Sequence, residues 1–270
     1  MKIRLLGTGA ADGIPAFHGD CRICRHAREH KGKNIRSRSS AVVDDCLKLD
    51  LPPETLMQMH QSGTNARDWS AVLFTHMDED HFAVDQLQYA LFPFTDMDHV
   101  GFSIFANAMV TDAIWERYPD WPLDVAVTRS FCPFNHLEYV VTPVRAMHGR
   151  PGEDAHNFVI ERGGKTFLYA TDTGIWPEET WFALRDFKLD AMVIECTNGF
   201  VPNDYTGHLD LKECVKSVDR LRKQGTVGDN TRIVTTHHSH HGNATHEELE
   251  EALKPHGIEP GYDGILIDIS

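Results

Sequence analysis

The chain has 270 residues, 41% of them hydrophobic and 24% charged, with a net charge of −14. This length allows one large α/β core, and no Ser/Gly/Pro-rich linker, charge block or internal repeat divides it, so residues 1–270 read as a single domain. The negative balance argues against a nucleic-acid surface, which needs clustered Lys and Arg. No apolar run approaches membrane-spanning length and no signal-type h-region follows Met1, so a cytoplasmic protein away from membranes is expected.

Ile3–Leu6 reads as a strand running into Gly7-Thr8-Gly9-Ala10-Ala11-Asp12-Gly13, where three glycines in seven residues suit a loop whose backbone approaches something closely. The spacing is wrong for a dinucleotide fingerprint, and no helical pattern follows at once. His18-Gly19-Asp20-Cys21-Arg22-Ile23-Cys24 comes next. Cys-x-x-Cys with a nearby histidine has the close spacing of a structural zinc site, which still needs a distant ligand. Without metal the pair would be two surface thiols. The basic stretch from Arg22 to Arg38 reads as a solvated face. Cys46, Cys132, Cys196 and Cys214 are expected to be buried small hydrophobes.

Ser39–Val43 and Cys46–Leu51 form a predicted hairpin across Asp44-Asp45, and Pro53–Gln61 a short helix. The apolar strand Ala71–Phe74 leads into Thr75-His76-Met77-Asp78-Glu79-Asp80-His81, with a helix expected over Phe82–Leu91. A strand at Val100–Phe105, a helix at Ala108–Tyr118 and a strand at Glu138–Pro143 follow, the last running on to His148-Gly149. Asn157–Arg162 and Lys165–Ala170 pair across Gly163-Gly164 and end in Thr171-Asp172. The strand Asp190–Glu195 precedes a polar loop, 196–207, then His208 and a helix over Leu211–Gln224. Arg232–Thr235 leads into Thr236-His237-His238-Ser239-His240. A capping box, Thr245 with Glu248, starts a helix over 245–253, and Ile265–Ile267 is the closing strand. An early run of strands, then alternation with helices, then the same scheme again fits two mixed sheets between outer helix layers, an α/β sandwich of αββα type.

Four loops that follow strands thus carry metal-type residues: His76/Asp78/Asp80/His81, His148, Asp172 and His237. Singly, each has a bland reading as a turn, cap or surface residue. The two histidines and two carboxylates of the first loop suit a pair of metal ions better than a catalytic triad.

On these residues the chain resembles the metallo-β-lactamase-fold hydrolases, whose signature is Thr-His-x-His-x-Asp-His. Within them it is most similar to the phosphoribosyl cyclic phosphate phosphodiesterases of the carbon–phosphorus lyase pathway. That similarity rests on Leu6-Gly7-Thr8-Gly9, Gly13-Ile14-Pro15-Ala16, Cys21-x-x-Cys24, Thr75–His81, Tyr169–Thr173, Gly207–Leu211 and Thr236–His240. The resemblance implies a binuclear site of manganese, zinc or iron. One ion would be held by His76, Asp78 and His148, the other by Asp80, His81 and His237, with Asp172 bridging. It also implies a structural zinc on Cys21, Cys24 and His240, and catalytic roles for Asp80 and for His208 as general acid. The reaction implied is attack of a metal-bridging hydroxide on a small phosphodiester, cyclic or open-chain, and a homodimer is left open.

Two positions depart from the family. Gly19 stands where the family has a third cysteine, and His18 is proposed to fill that gap. Asp78 stands where the signature has histidine; a carboxylate is the harder ligand and favours manganese, iron or magnesium relative to zinc. It also leaves the centre one positive charge poorer, which should raise the pKa of a bound water. The alternatives are a hydrolase of a lactone, thioester or RNA 3′ end, and an accessory binding protein with an altered metal site.

Overall fold

A computed structural model describes residues 1–97, 99–202 and 205–270. In chain order its elements are β1 (Lys2–Gly7), α1 (Arg22–His30), β2 (Ser40–Val43), β3 (Leu47–Leu49), α2 (Thr55–Ser62), β4 (Ala71–Leu73), β5 (Ser103–Ala106), α3 (Ala108–Arg117) and β6 (Asp124–Val127). The second half continues with β7 (Phe134–His136), β8 (Tyr139–Arg145), β9 (His156–Arg162), β10 (Lys165–Ala170), α4 (Glu178–Leu184), β11 (Leu189–Glu195) and α5 (Leu211–Gln224). It closes with β12 (Val227–Thr236), α6 (His246–Leu253), β13 (Glu259–Pro260) and β14 (Leu266–Asp268).

The strands form two mixed sheets, ordered β14-β1-β2-β3-β4-β5-β6 and β13-β12-β11-β10-β9-β8-β7. Alternation along the strands sends Ile3, Leu5, Val43, Leu47, Leu49 and Leu73 inward from the first sheet. They meet Val141, Phe158, Ile160, Phe167, Tyr169 and Val193 from the second, and all are buried. Truncating Phe158 or Phe167 to alanine in so dense a layer would cost about 3–5 kcal/mol. The opposite face of the second sheet (Val159, Leu168, Met192, Ile194) packs on α4, α5 and α6 through Trp181, Val218, Leu221, Leu249 and Leu253. That of the first (Val42, Val72, Ile104) packs on α3 through Val110 and Ile114. This is the expected αββα sandwich.

Both predicted hairpins form. Gly163 and Gly164 take φ values of 57° and 75° between β9 and β10, the turn geometry that matches sheet twist. Asp44 and Asp45 take 52° and 54° without glycine's freedom. The Asp44 carboxylate helps hold that turn by accepting from Lys2 N (2.7 Å), Arg162 Nη1 (2.7 Å) and Tyr139 Oη (3.0 Å), which ties the two sheets together at one end.

Several expectations need correction. Residues after Phe82 form a 3₁₀ segment, Val84–Ala90, in place of the expected helix. Helix α1 lies inside the stretch read only as a basic surface, because three buried side chains, Ile23, Cys24 and Ala27, give it a narrow apolar stripe among Arg and His. Helix α4 and strands β6, β7 and β13 are too short or too exposed to leave a periodic signal. Cys196 and Cys214 are buried as expected, but Cys132 is exposed and Cys46 only half-buried. Residues 203 and 204 of the polar loop lie outside the described residues. Among the described residues no helix is long and apolar enough to cross a membrane. The glycine loop does approach something closely, and it is the chain itself: a Cβ on Gly7 would lie 1.9 Å from the Arg38 carbonyl oxygen.

Candidate metal centre

Strands β4, β8, β10 and β12 all end at one rim of the sandwich, so the residues just beyond their C-terminal ends meet there. His76, Asp78 and His148 form one group of converging donors, and Asp80, His81, Asp172 and His237 a second. Asp172 joins them. Its Oδ2 lies 2.9 Å from His81 Nε2, and its Oδ1 lies 3.1 Å from His237 Nε2 and 3.8 Å from His148 Nε2. Two backbone positions are forced into left-handed geometry to achieve this, Asp172 at φ 48° and His237 at φ 57°.

Each imidazole is aimed by a partner on its Nδ1. Asp50 Oδ2 takes His81 Nδ1 at 2.7 Å, and the same carboxylate accepts from Thr75 N (2.8 Å) and Thr75 Oγ1 (3.0 Å). With its proton given to Asp50, the Thr75 hydroxyl is left to accept from His76 Nδ1 at 2.9 Å. Thr197 repeats the device: its hydroxyl donates to Glu195 Oε2 (2.5 Å) and faces His237 Nδ1 at 2.9 Å. His148 Nδ1 lies 2.9 Å from the Gly207 carbonyl oxygen. Read this way, the network makes Nδ1 the protonated nitrogen in all four rings and presents four Nε2 atoms to a common centre. The Nε2 atoms of His76 and His81 are buried and, among the described residues, face carboxylates (Asp78 at 3.6 Å, Asp172 at 2.9 Å) without the alignment of a hydrogen bond.

The electrostatics point the same way. Burial works against charge on His148, yet Asp78 and Asp172 overcome it and push the ring up to about 9. His81 is raised too, the carboxylates of Asp172, Asp80 and Asp50 outweighing its burial. Asp78 is held well below the usual carboxylate range by His148 and His76. Asp80 is held there by His81 and His237 against its own burial. Two buried carboxylates and a half-exposed third in one cluster need cationic partners, and protons on imidazole serve until a divalent cation takes their place. The hard carboxylates and the four Nε2 atoms, two of them buried without a well-aligned hydrogen bond, fit a pair of divalent cations.

His208 stands at the edge of the centre, 4.8 Å from the His148 ring and 5.2 Å from the His237 ring. Its Nδ1 lies 3.0 Å from Glu195 Oε1. Glu195 escaped the sequence reading as a site residue. Its only signal was position: an acid ending an apolar strand, as Asp172 follows β10. It is fully buried and also accepts from Thr173 N and Leu209 N. Burial opposes charge on His208, and the Glu195 carboxylate more than offsets it, so the ring holds its proton above the ordinary histidine range. Asp50 was likewise missed; it closes a strand as an unremarked polar residue. Arg150 Nε lies 3.6 Å from Asp78 Oδ1 at the outer side of the site.

Cys21, Cys24 and His240 also converge, with Cys21 Sγ 3.3 Å from His240 Nδ1. Cys21 caps α1, and its sulfur accepts from Cys24 N at 3.5 Å, while Ala16 N donates to Cys24 Sγ at 3.4 Å. Thiolates so placed, with an imidazole beside them, fit a zinc ion. His18 is outside this group of three; it is exposed, its ring edge-on to Phe17 at 5.1 Å.

Comparison with known proteins agrees with this architecture. A family model described as a beta-lactamase superfamily domain matches residues 43–238. An octanoyltransferase of Porphyromonas gingivalis is 29% identical over 98% of this chain, which spans 51% of that protein, about half its length. Zinc-bound PqqB from Methylobacterium extorquens superposes with a TM-score of 0.80 at 18% identity, covering 100% of both chains. A new diphosphatase from the PhnP family gives 0.76 at 21% identity, covering 100% of this chain and 98% of the other. Human tRNase Z, short form, gives 0.66 at 18% identity with 100% of both chains covered. At these identities the structural likeness is one of fold.

Proposed function

This chain belongs to the beta-lactamase superfamily, and on that premise we propose that it is a metal-dependent hydrolase acting on a small phosphodiester. The observation that carries the reading is the Glu195–His208 pair beside a four-imidazole, three-carboxylate cluster. One ion would be held by His76, Asp78 and His148, the other by Asp80, His81 and His237, with Asp172 shared. Bound there, divalent cations would supply Lewis-acid polarisation of phosphoryl oxygens and an acidified water.

The chain's own groups supply the rest. Asp80, kept ionised by His81 and His237, accepts the hydrogen bond that orients the attacking water. Protonated His208 gives its Nε2 proton to the leaving alkoxide, and Glu195 holds the ring in place and stabilises its cationic form. The net change is cleavage of one P–O bond by water, to a phosphomonoester and an alcohol. Arg150, beside Asp78, offsets part of the carboxylate charge facing an anionic substrate. A cytoplasmic setting and small-molecule substrates in place of nucleic acid belong to the same reading, given the −14 charge.

Hydrolysis of an acyl ester or thioester is a second reading. It is favoured by exposed apolar side chains on the segments that carry the site: Met147 beside His148, Ile175 shortly after Asp172, and Tyr205, whose ring is 6.4 Å from that of His148. Elemental analysis of the purified chain, then a screen of phosphodiesters and acyl thioesters with manganese, zinc or iron, tests both. Diester hydrolysis that His208→Ala abolishes for poor leaving groups supports the proposal. A fully loaded centre that cleaves no phosphodiester overturns it, and zinc at the thiolates alone would favour an accessory binding protein.

A further inference from the structure

We infer that the Cys21–Cys24–His240 site holds its zinc through three side chains and keeps the fourth position open to a small exogenous donor, a thiolate being the best match. The inference rests on the zinc reading of this loop and is independent of the hydrolase reading.

The donors converge from two directions. Cys21 and Cys24 come from the start of α1, and His240 from the segment after β12, with Nδ1 toward Cys21. The other face of His240 is taken: its Nε2 lies 2.8 Å from Asp12 Oδ2, and Ser239 Oγ donates to the same oxygen at 3.2 Å. Asp12 therefore orients the imidazole, as carboxylates behind ligating histidines do, and fixes Nδ1 as the lone-pair nitrogen. This gives the aspartate of the glycine-rich loop a role that its spacing did not announce.

What would close the tetrahedron is a side chain at position 19. A Cβ built there would lie 2.4 Å from Cys24 Sγ, so residue 19 faces the Cys24 thiol, and as glycine it brings no donor. His18 is turned out against Phe17. Cys21 is solvent-exposed, so an incoming ligand has access. Two thiolates, one imidazole and an open position is the ligand set of zinc sites that bind exchangeable ligands; structural sites are closed by four protein donors. Arg25 and Arg28 bond to the Asp20 and Gly19 carbonyl oxygens respectively, and with the Asp20 carboxylate 3.2 and 4.0 Å from them they leave one net positive charge beside the loop.

Cobalt substitution of the chain tests this: before thiol is added, the thiolate-to-cobalt charge-transfer band reports this site, since the other centre has only nitrogen and oxygen donors, and a parallel titration of a Cys21→Ser/Cys24→Ser variant subtracts any thiol taken up there. Titration with 2-mercaptoethanol should shift the visible bands saturably and raise the charge-transfer intensity roughly 1.5-fold, as two thiolates become three. Gly19→Cys, whose added side chain meets the movable Cys24 thiol, should show the three-thiolate spectrum unaided and ignore the added thiol. Asp12→Asn should weaken zinc binding about 10–100-fold in a chelator competition. A wild-type spectrum indifferent to thiol that becomes responsive in His18→Ala would overturn the inference by showing His18 as fourth ligand. Absence of any thiolate band in the wild type, or its persistence in the Cys21→Ser/Cys24→Ser variant before thiol is added, would also overturn it. Each of these outcomes is read without measuring hydrolysis.

Discussion

Glu195 Oε1 lies 3.0 Å from His208 Nδ1, and Oε2 of the same carboxylate takes the Thr197 hydroxyl, which in turn faces His237 Nδ1. One buried glutamate therefore orients both the candidate general acid and a histidine of the candidate metal centre. Glu195→Gln should lower kcat on diesters with poor leaving groups by about 10²–10⁴-fold, with a smaller loss for good ones. Four donors converge on the carboxylate, and an amide returns a donor toward one of them, so about 1–3 kcal/mol of stability should go too. Steady-state kinetics across a leaving-group series, with thermal melts, check both; equal losses for all leaving groups would remove the proton-transfer role.

Asp50 does for His81 what Glu195 does for His208. Asp50→Asn keeps the shape but offers an amide where Thr75 N–H, the Thr75 hydroxyl and His81 Nδ1–H all need an acceptor. Affinity for the ion at Asp80, His81 and His237 should fall about 10–100-fold, measured by isothermal titration against a chelator.

Asp78→His replaces a hard oxygen by imidazole and removes one negative charge from the His76/His148 side of the centre. The zinc-to-manganese affinity ratio should rise by on the order of tenfold. Competition between the two metals, quantified by elemental analysis, reads this directly, and an unchanged ratio would show that Asp78 is not a ligand.

Gly174 sits where a Cβ would lie 1.7 Å from the Thr206 carbonyl oxygen, backbone against side chain with nothing flexible to yield. Gly174→Ala should push away the segment leading to His208, cutting activity at least about tenfold with a loss of ~1–3 kcal/mol in stability. Because the Gly207 carbonyl aims His148 and Asp172 shares the Gly174 loop, affinity at the His76/Asp78/His148 side should weaken as well, which elemental analysis of the variant checks.

His246 gives a pH dependence away from the metal centre. Burial, then Arg36 and Lys33, lower it from 6.5 to about 4, with Glu247 opposing. Arg36 Nη2 donates to its Nδ1 at 3.2 Å, and the Tyr262 ring packs 5.8 Å away. Between those two pH values the unfolded chain binds more protons than the folded one. Stability is therefore full above about 6.5 and is lost as pH falls toward about 4. His246→Gln, which keeps an acceptor for Arg36, should flatten this part of the profile in urea melts at stepped pH.

Much was legible because it is local. The period-two alternation in β1, β9 and β10 marks inward faces, and Gly163-Gly164 and Thr245/Glu248 mark a turn and a capping box in the residues themselves. The candidate metal ligands were legible for the same reason, each lying in a loop just past a strand. Helix α1 was not: three apolar residues among nine give a stripe so narrow that only the packing of Ile14 on Ile23 and Ala27 reveals it.

What only the tertiary structure decided is which groups act on one another. Glu195 and His208 are 13 residues apart, Asp50 and His81 31, and Asp12 and His240 228, and no spacing rule ties such pairs together. The identity of a ligand is a property of a side chain, so the sequence by itself determined the αββα class and the donor set. The aim of a ligand is a property of its partners, brought within hydrogen-bond distance only when two sheets close on one core. That is why His18, adjacent in sequence, faces solvent, while His240, distant in sequence, faces the thiols.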